Sequence, residues 1–171
     1  MKDKLKILEE AINMEVAGKE YYSECAKKIK NILGKKIFEK LVEYEDNHIV
    51  KIKEVYQKIS NDEKIDTIIL SEKHLDSKNI FKDELKMIDK NIIPDASDLD
   101  ALKEGMRLED KSETYYTKLA KETDDPFEKR FYLALAFEEK EHYMLLFDTY
   151  QYLKNPSLWF FEKEGETLDV Y

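Results

Sequence analysis

Shifted by 94 residues, this chain lies over itself without a gap, so its fold must accommodate two copies of one unit. The stretch "LEEAINMEVAGKEYYSECAK" (8–27) falls on "LKEGMRLEDKSETYYTKLAK" (102–121), so that Leu8 meets Leu102, Glu15 meets Glu109, and Tyr21-Tyr22 meets Tyr115-Tyr116. The same shift carries Glu45 onto Glu139, His48 onto His142 and Tyr56-Gln57 onto Tyr150-Gln151. The chain has only three histidines, and two of them coincide under the shift. The repeated unit reads as a helical hairpin.

Apolar residues recur every 3.5–3.6 positions through four long stretches, the spacing of a helix with one buried face. The first helix is expected over 2–30, with the buried row Leu5, Leu8, Ile12, Glu15, Lys19, Tyr22, Ala26 and Ile29. The second, over 34–60, buries Phe38, Leu41, Glu45, His48, Ile52, Val55 and Ile59. The third, over 98–122, buries Leu102, Met106, Glu109, Glu113, Tyr116 and Ala120. The fourth, over 126–153, buries Tyr132, Leu135, Glu139, His142, Leu146, Thr149 and Leu153. Steps of three and four alternate, as packing into a four-helix bundle requires. Four Gly and three Pro in 171 residues leave such stretches unbroken.

Gly34 is expected in the first turn between helices. Asp124-Asp125-Pro126 offers cap residues and a first-turn proline, and Asn155-Pro156 ends the fourth helix. Residues 61–97 form a long crossover with a short helix near 79–90. The fold class is therefore all-α, an antiparallel four-helix bundle of two repeated hairpins over 1–155. The tail 156–171 is too short to be a domain, and its Trp159, Phe160 and Phe161 are expected to dock on the bundle or on a second subunit.

Composition narrows the function classes. With 42% apolar and 39% charged residues the chain can fold and stay in solution. A net charge of −9 argues against nucleic acid as a partner. No apolar run reaches the length of a membrane span, and "MKDKLKILEEAIN" has no secretory h-region, so no membrane partner and a cytoplasmic location are expected. Cys25 stands alone, which excludes an intrachain disulfide and a Cys-x-x-Cys metal knuckle.

Six ionisable residues fall in the apolar rows: Glu15, Glu45, His48, Glu109, Glu139 and His142. Burying a bare carboxylate is costly, and four together would not suit a bundle whose whole stability is roughly 5–15 kcal/mol. Divalent metal resolves the conflict. Glu45 and His48, three residues apart, project about 60° apart from one helix face, and Glu139 and His142 repeat that arrangement. With one Glu from each of the other two helices they complete the ligand pattern of di-iron and di-manganese carboxylate bundles. Carboxylate and imidazole suit two iron ions, with manganese the alternative and zinc also accommodated.

Tyr22 and Tyr116 lie two turns beyond Glu15 and Glu109, where their hydroxyls either bond to ligand carboxylates or serve as ordinary core phenols. Lys19 and Glu113, in the remaining row positions, either face a gap or pair with each other. Glu43, Glu138 and Glu141 fall off the rows and are expected in solvent, as is His74 in the crossover.

The segments "AINMEVAGKEYY", "EYEDNH", "GMRLEDKSETYY" and "FEEKEH" resemble the rubrerythrin-like branch of the ferritin-like di-iron carboxylate superfamily over about residues 5–153. That resemblance implies a ferritin-like bundle and a cytoplasmic, often dimeric protein. It implies an oxidoreductase of oxidative-stress defence whose di-iron centre reduces hydrogen peroxide or O2. Glu15, Glu45, Glu109 and Glu139 would then be catalytic as well as ligating. Full-length rubrerythrins carry a four-cysteine rubredoxin domain; this chain has one cysteine, so electrons would come from a separate donor such as a rubredoxin. They also use an extra Glu three residues after the third-helix ligand. Ser112 stands there, with Gly18 as its repeat mate, so the metal movement tied to that ligand does not carry over. Iron oxidation for storage, manganese catalase-like activity and a non-catalytic, metal-stabilised interaction protein remain the alternatives.

Overall fold

A computed structural model describes residues 2–61, 63, 77–86 and 94–159. Among the described residues the helices in chain order are α1 (Lys2–Lys28), α2 (Ile32–Ser60), α3 (Ser77–Lys86), α4 (Ala96–Glu122) and α5 (Pro126–Lys154), with one further helical turn at 156–159. The described residues contain no strand. α1 packs most extensively on α2 and α4 on α5, forming the two hairpins, while α1 meets α4 and α2 meets α5 across the bundle.

Side-chain bonds fix the pairing of α1 with α4. The Tyr21 hydroxyl donates to the Ala101 carbonyl at 2.9 Å, and the Tyr115 hydroxyl to the Ile7 carbonyl at 3.4 Å. These two bonds exchange under the 94-residue shift, so the bundle has an internal pseudo-two-fold axis and the two helices run antiparallel.

The periodic rows form the interior. Leu8, Tyr22, Phe38, Leu41, Ile52, Leu102, Tyr116, Leu135 and Leu146 are all buried. The apolar core is divided into two clusters. One gathers Tyr22, Phe38, Leu41, Leu102, Leu145 and Leu146 with residues of α3; the other gathers Leu8, Ala11, Ile52, Val55, Tyr116 and Leu135. Along every long helix the ionisable row residues fall between these clusters, so the charged centre has an apolar plug at each end.

Local chemistry sets the helix ends. The Asp125 carboxylate accepts from the amides of Phe127 and Glu128 at 2.8 and 3.1 Å, with Pro126 opening α5. Asp95 caps α4 by accepting from the Asp98 amide at 3.0 Å, so α4 starts two residues before the periodicity places it. Gly34 is not in the turn but inside the first turn of α2. Asn31 is the cap, and its side chain accepts from the Gly34 amide at 3.0 Å. A Cβ at Gly34 would stand 2.4 Å from Ile29 Cδ1, so glycine serves close approach there.

Buried Asp98 ties this turn to α4 by accepting from the Lys30 and Asn31 amides, each at 3.2 Å. α3 lies against α5 and α2. Its Phe81 ring sits 5.1 Å from Trp159 and 6.0 Å from Tyr152, so the start of the tail docks on its own bundle. His74, Phe160 and Phe161 lie outside the described residues. No helix among the described residues is long and apolar enough to cross a membrane.

Candidate metal centre

The sequence periodicity aims six ionisable side chains inward, and all six arrive. Glu15, Glu45, His48, Glu109, Glu139 and His142 are each at most 3% exposed. Their ligand atoms form two sets of four, in each of which all donor atoms lie within 4.8 Å of one another: Glu15, Glu45, His48 and Glu139, and Glu45, Glu109, Glu139 and His142. The sets share Glu45 and Glu139. Each adds one histidine and one glutamate from α1 or α4.

Both histidines point Nδ1 into the centre. His48 Nδ1 lies 3.1 Å from Glu15 Oε2, 3.0 Å from Glu139 Oε1 and 3.8 Å from Glu45 Oε2. His142 Nδ1 lies 3.5 Å from Glu139 Oε2 and 3.7 Å from both Glu45 and Glu109. The two imidazole rings stack 5.1 Å apart. Both ring nitrogens of His142, and Glu139 Oε1, are buried and make no hydrogen bond among the described residues. Buried polar atoms left this way cost free energy unless another species engages them. Glu139 Oε1 is close to His48 Nδ1 but not in hydrogen-bond geometry; the His48 nitrogen bonds to Glu15 instead.

The two inner tyrosines of the repeat bond to the clustered glutamates. The Tyr22 hydroxyl donates to Glu109, and the Tyr116 hydroxyl donates to Glu15. The 94-residue shift exchanges these two bonds. Burial first, then the charge of the bonded glutamate, pushes both phenols well above their ordinary pKa, so they stay protonated and donate. Gly18 supplies bare backbone beside Glu45: a Cβ there would meet the Glu45 carboxylate at 3.6–3.8 Å. Lys19 and Glu113 do not pair with each other. Lys19 meets Asp46 at 2.5 Å, and Glu113 meets Lys140 at 3.4 Å, both at the bundle surface.

Charge in the centre is held by protons. Burial, reinforced by the Glu139 charge, raises Glu45 well above the carboxylate range and Glu109 to about 8. Burial also acts to raise Glu139, but the His48 charge foremost, with both imidazoles close by, outweighs it and holds this carboxyl well below its ordinary value. Burial acts to lower the histidines, yet the surrounding carboxylates prevail: Glu139 foremost raises His48, and Glu109 foremost raises His142 to about 9. Like charges crowded into a dry site thus bind protons wherever no cation is present.

Glu138 departs from expectation. It lies off the buried row, yet its side chain is only 17% exposed. It accepts from His48 Nε2 at 2.7 Å and from Lys51 Nζ at 2.9 and 3.0 Å. Burial works against its ionised form, but the His48 and Lys51 bonds and charges overcome this and bring its pKa to about 2. The α2–α5 packing pulls it inward, which the helix period alone does not reveal. Glu141 is also partly buried and accepts from the Ser77 amide at 3.2 Å, whereas Glu43 is exposed beside Lys40.

The Rubrerythrin family model matches residues 6–150. A solved structure, a hypothetical protein from Pyrococcus furiosus, is similar in fold, with a TM-score of 0.62 and 22% identity over 88% of this chain and 90% of that one. No curated protein matches the chain.

Proposed function

The chain belongs to the rubrerythrin family, and from that premise we propose that its buried centre holds two iron ions and reduces hydrogen peroxide or O2. The observation that carries this reading is the overlap of two four-residue ligand sets in Glu45 and Glu139. Two ions sharing two carboxylates need that topology. The donor set also fits electrically: four ionised carboxylates and two neutral imidazoles balance two divalent cations. The bare Nδ1 of His142 and the bare Oε1 of Glu139 are the atoms such ions would engage. Manganese would be held by the same donors, and zinc is compatible with them.

Glu15 and His48 would hold one ion and Glu109 and His142 the other, with Glu45 and Glu139 bridging. Ferrous iron bound there would supply Lewis acidity and one electron per ion, enough to take one H2O2 and two protons to two waters. The residues of this chain do the rest. The Tyr22 and Tyr116 hydroxyls orient the Glu109 and Glu15 carboxylates and keep them from swinging away. Stacked imidazoles present Nδ1 to the centre and fix the spacing of the two sides. Above and below, the apolar clusters keep bulk water out, which strengthens every charge interaction inside.

Cys25 alone cannot build a four-cysteine iron site, and in this reading a separate donor, such as a rubredoxin, re-reduces the centre. The protein works in the cytoplasm as a homodimer, with neither nucleic acid nor membrane as partner, in defence against oxidants.

Anaerobic loading of the metal-free chain with Fe2+, followed by a pulse of peroxide or O2 under optical detection, tests the reading. Binding of close to two irons per chain and rapid oxidation on the pulse are expected. Iron stoichiometry near zero overturns it. Oxygen evolution from peroxide without a reductant would move the activity to a catalase type, and a particle of many hundred kilodaltons on sedimentation would move it to storage.

A further inference from the structure

The pseudo-two-fold axis exchanges all six candidate ligands and both supporting tyrosines, but it fails behind the histidines. His48 Nε2 meets the Glu138 carboxylate at 2.7 Å, and Lys51 binds that carboxylate from the other side. The repeat mate of Glu138 is Tyr44, and the mate of Lys51 is Leu145. Tyr44 stacks on the His142 ring with centroids 5.3 Å apart, and among the described residues His142 Nε2 has no hydrogen-bond partner. One imidazole is therefore backed by a carboxylate and a cation, the other by an aromatic face and an aliphatic mate.

We propose that Glu138 is a positioning residue that makes the two metal positions unequal, so that the Glu15–His48 side binds its ion more tightly than the Glu109–His142 side. This rests on the two-metal reading above. When Nδ1 of a neutral imidazole ligates, its proton must sit on Nε2. On His48 that proton has a carboxylate to donate to, which fixes the tautomer, locks the ring and makes Nδ1 a stronger donor. Lys51 holds the Glu138 carboxylate in place at 2.9 and 3.0 Å, so the support is present before any metal arrives. Among the described residues the His142 Nε2 proton has no acceptor, and Tyr44 stacks on that ring where Glu138 bonds to His48. Losing a carboxylate behind a ligating histidine typically weakens metal binding about 10–100-fold, so a gap of that order is expected between the two positions.

Anaerobic titration of the full chain with Co2+, followed by calorimetry and by visible absorption, tests the proposal. Wild type is expected to bind two ions in two resolved steps. Glu138→Gln keeps the shape and removes the charge; it should weaken the first step about tenfold or more, leave the second within about threefold, and alter the absorption of the first-bound ion. Tyr44→Glu sets a carboxylate at the mirror position and should tighten the second step, narrowing the gap from the opposite side. Glu141→Gln, at a carboxylate that accepts from the Ser77 amide, should change neither step. Two equal steps in wild type, or Glu138→Gln weakening both steps alike or neither, overturns the inequality and leaves the two-metal centre standing. Wild type that binds no Co2+ removes the centre and the inequality with it.

Discussion

Loading the metal-free chain with divalent ions at pH 7 should expel at least about two protons per pair of ions. Glu45 and Glu109 are raised by burial and by the Glu139 charge, and Glu109, at about 8, carries a proton at neutral pH. His48 and His142 are raised by the carboxylates around them, and His142, at about 9, is doubly protonated there. Metal accepts ionised carboxylate and neutral imidazole, so these two protons must leave, and the raised Glu45 and His48 add to the release. Each proton displaced multiplies the combined affinity tenfold per pH unit. Between pH 6 and 7 the product of the two binding constants should rise at least about 10²-fold, or ~2.7 kcal/mol. The rise should slacken above about 8, where Glu109 loses its proton unaided, and again above about 9, where His142 does.

Calorimetric titration in buffers of contrasting ionisation enthalpy counts the protons directly. Release of fewer than about two, or flat affinity from pH 6 to 7.5, would refute the protonated centre. The same shifts fix the sign for the metal-free fold. Raised carboxyls cost stability as pH climbs from 4.5 through about 8, and raised histidines give stability that is full below 6.5 and lost through about 9. Glu138 and Glu139 are depressed, and their contribution is lost only as pH falls below 4.5. Metal-free melting temperature should therefore fall from pH 6 to 9, and bound metal should suppress the fall.

Glu45→Ala removes a carboxylate common to both ligand sets and should leave at most one tightly held metal per chain after desalting, whereas Glu43→Ala, an exposed neighbour beside Lys40, should leave metal content unchanged; equal losses would mean the helix phase is misread. Tyr22→Phe and Tyr116→Phe each strip a hydroxyl from one α1 or α4 glutamate, and each should weaken metal binding about tenfold, to similar extents because the axis exchanges them. An unchanged titration for both variants would assign the phenols to packing alone. Asp98→Ala deprives the Lys30 and Asn31 amides of their acceptor and should cost about 2–4 kcal/mol in urea unfolding, with Asp98→Asn costing less because one acceptor oxygen remains.

The sequence alone determined the two hairpins, the buried rows and the six inward ionisable residues. A 94-residue self-match and a 3.6-residue period say which face of each helix is buried, and a charge on that face stands out against its neighbours. What lies off that face was decided by tertiary structure. Glu138 looks like a solvated neighbour of Glu139 until α2 crosses α5 and brings His48 and Lys51 to it. Asn31 and Asp98, not Gly34, govern the first turn, because a cap depends on which oxygen the folded chain delivers to which amide. Periodicity carries the direction of a side chain from its own helix axis; the partner that waits there depends on the offset and crossing of two helices, which no single helix records.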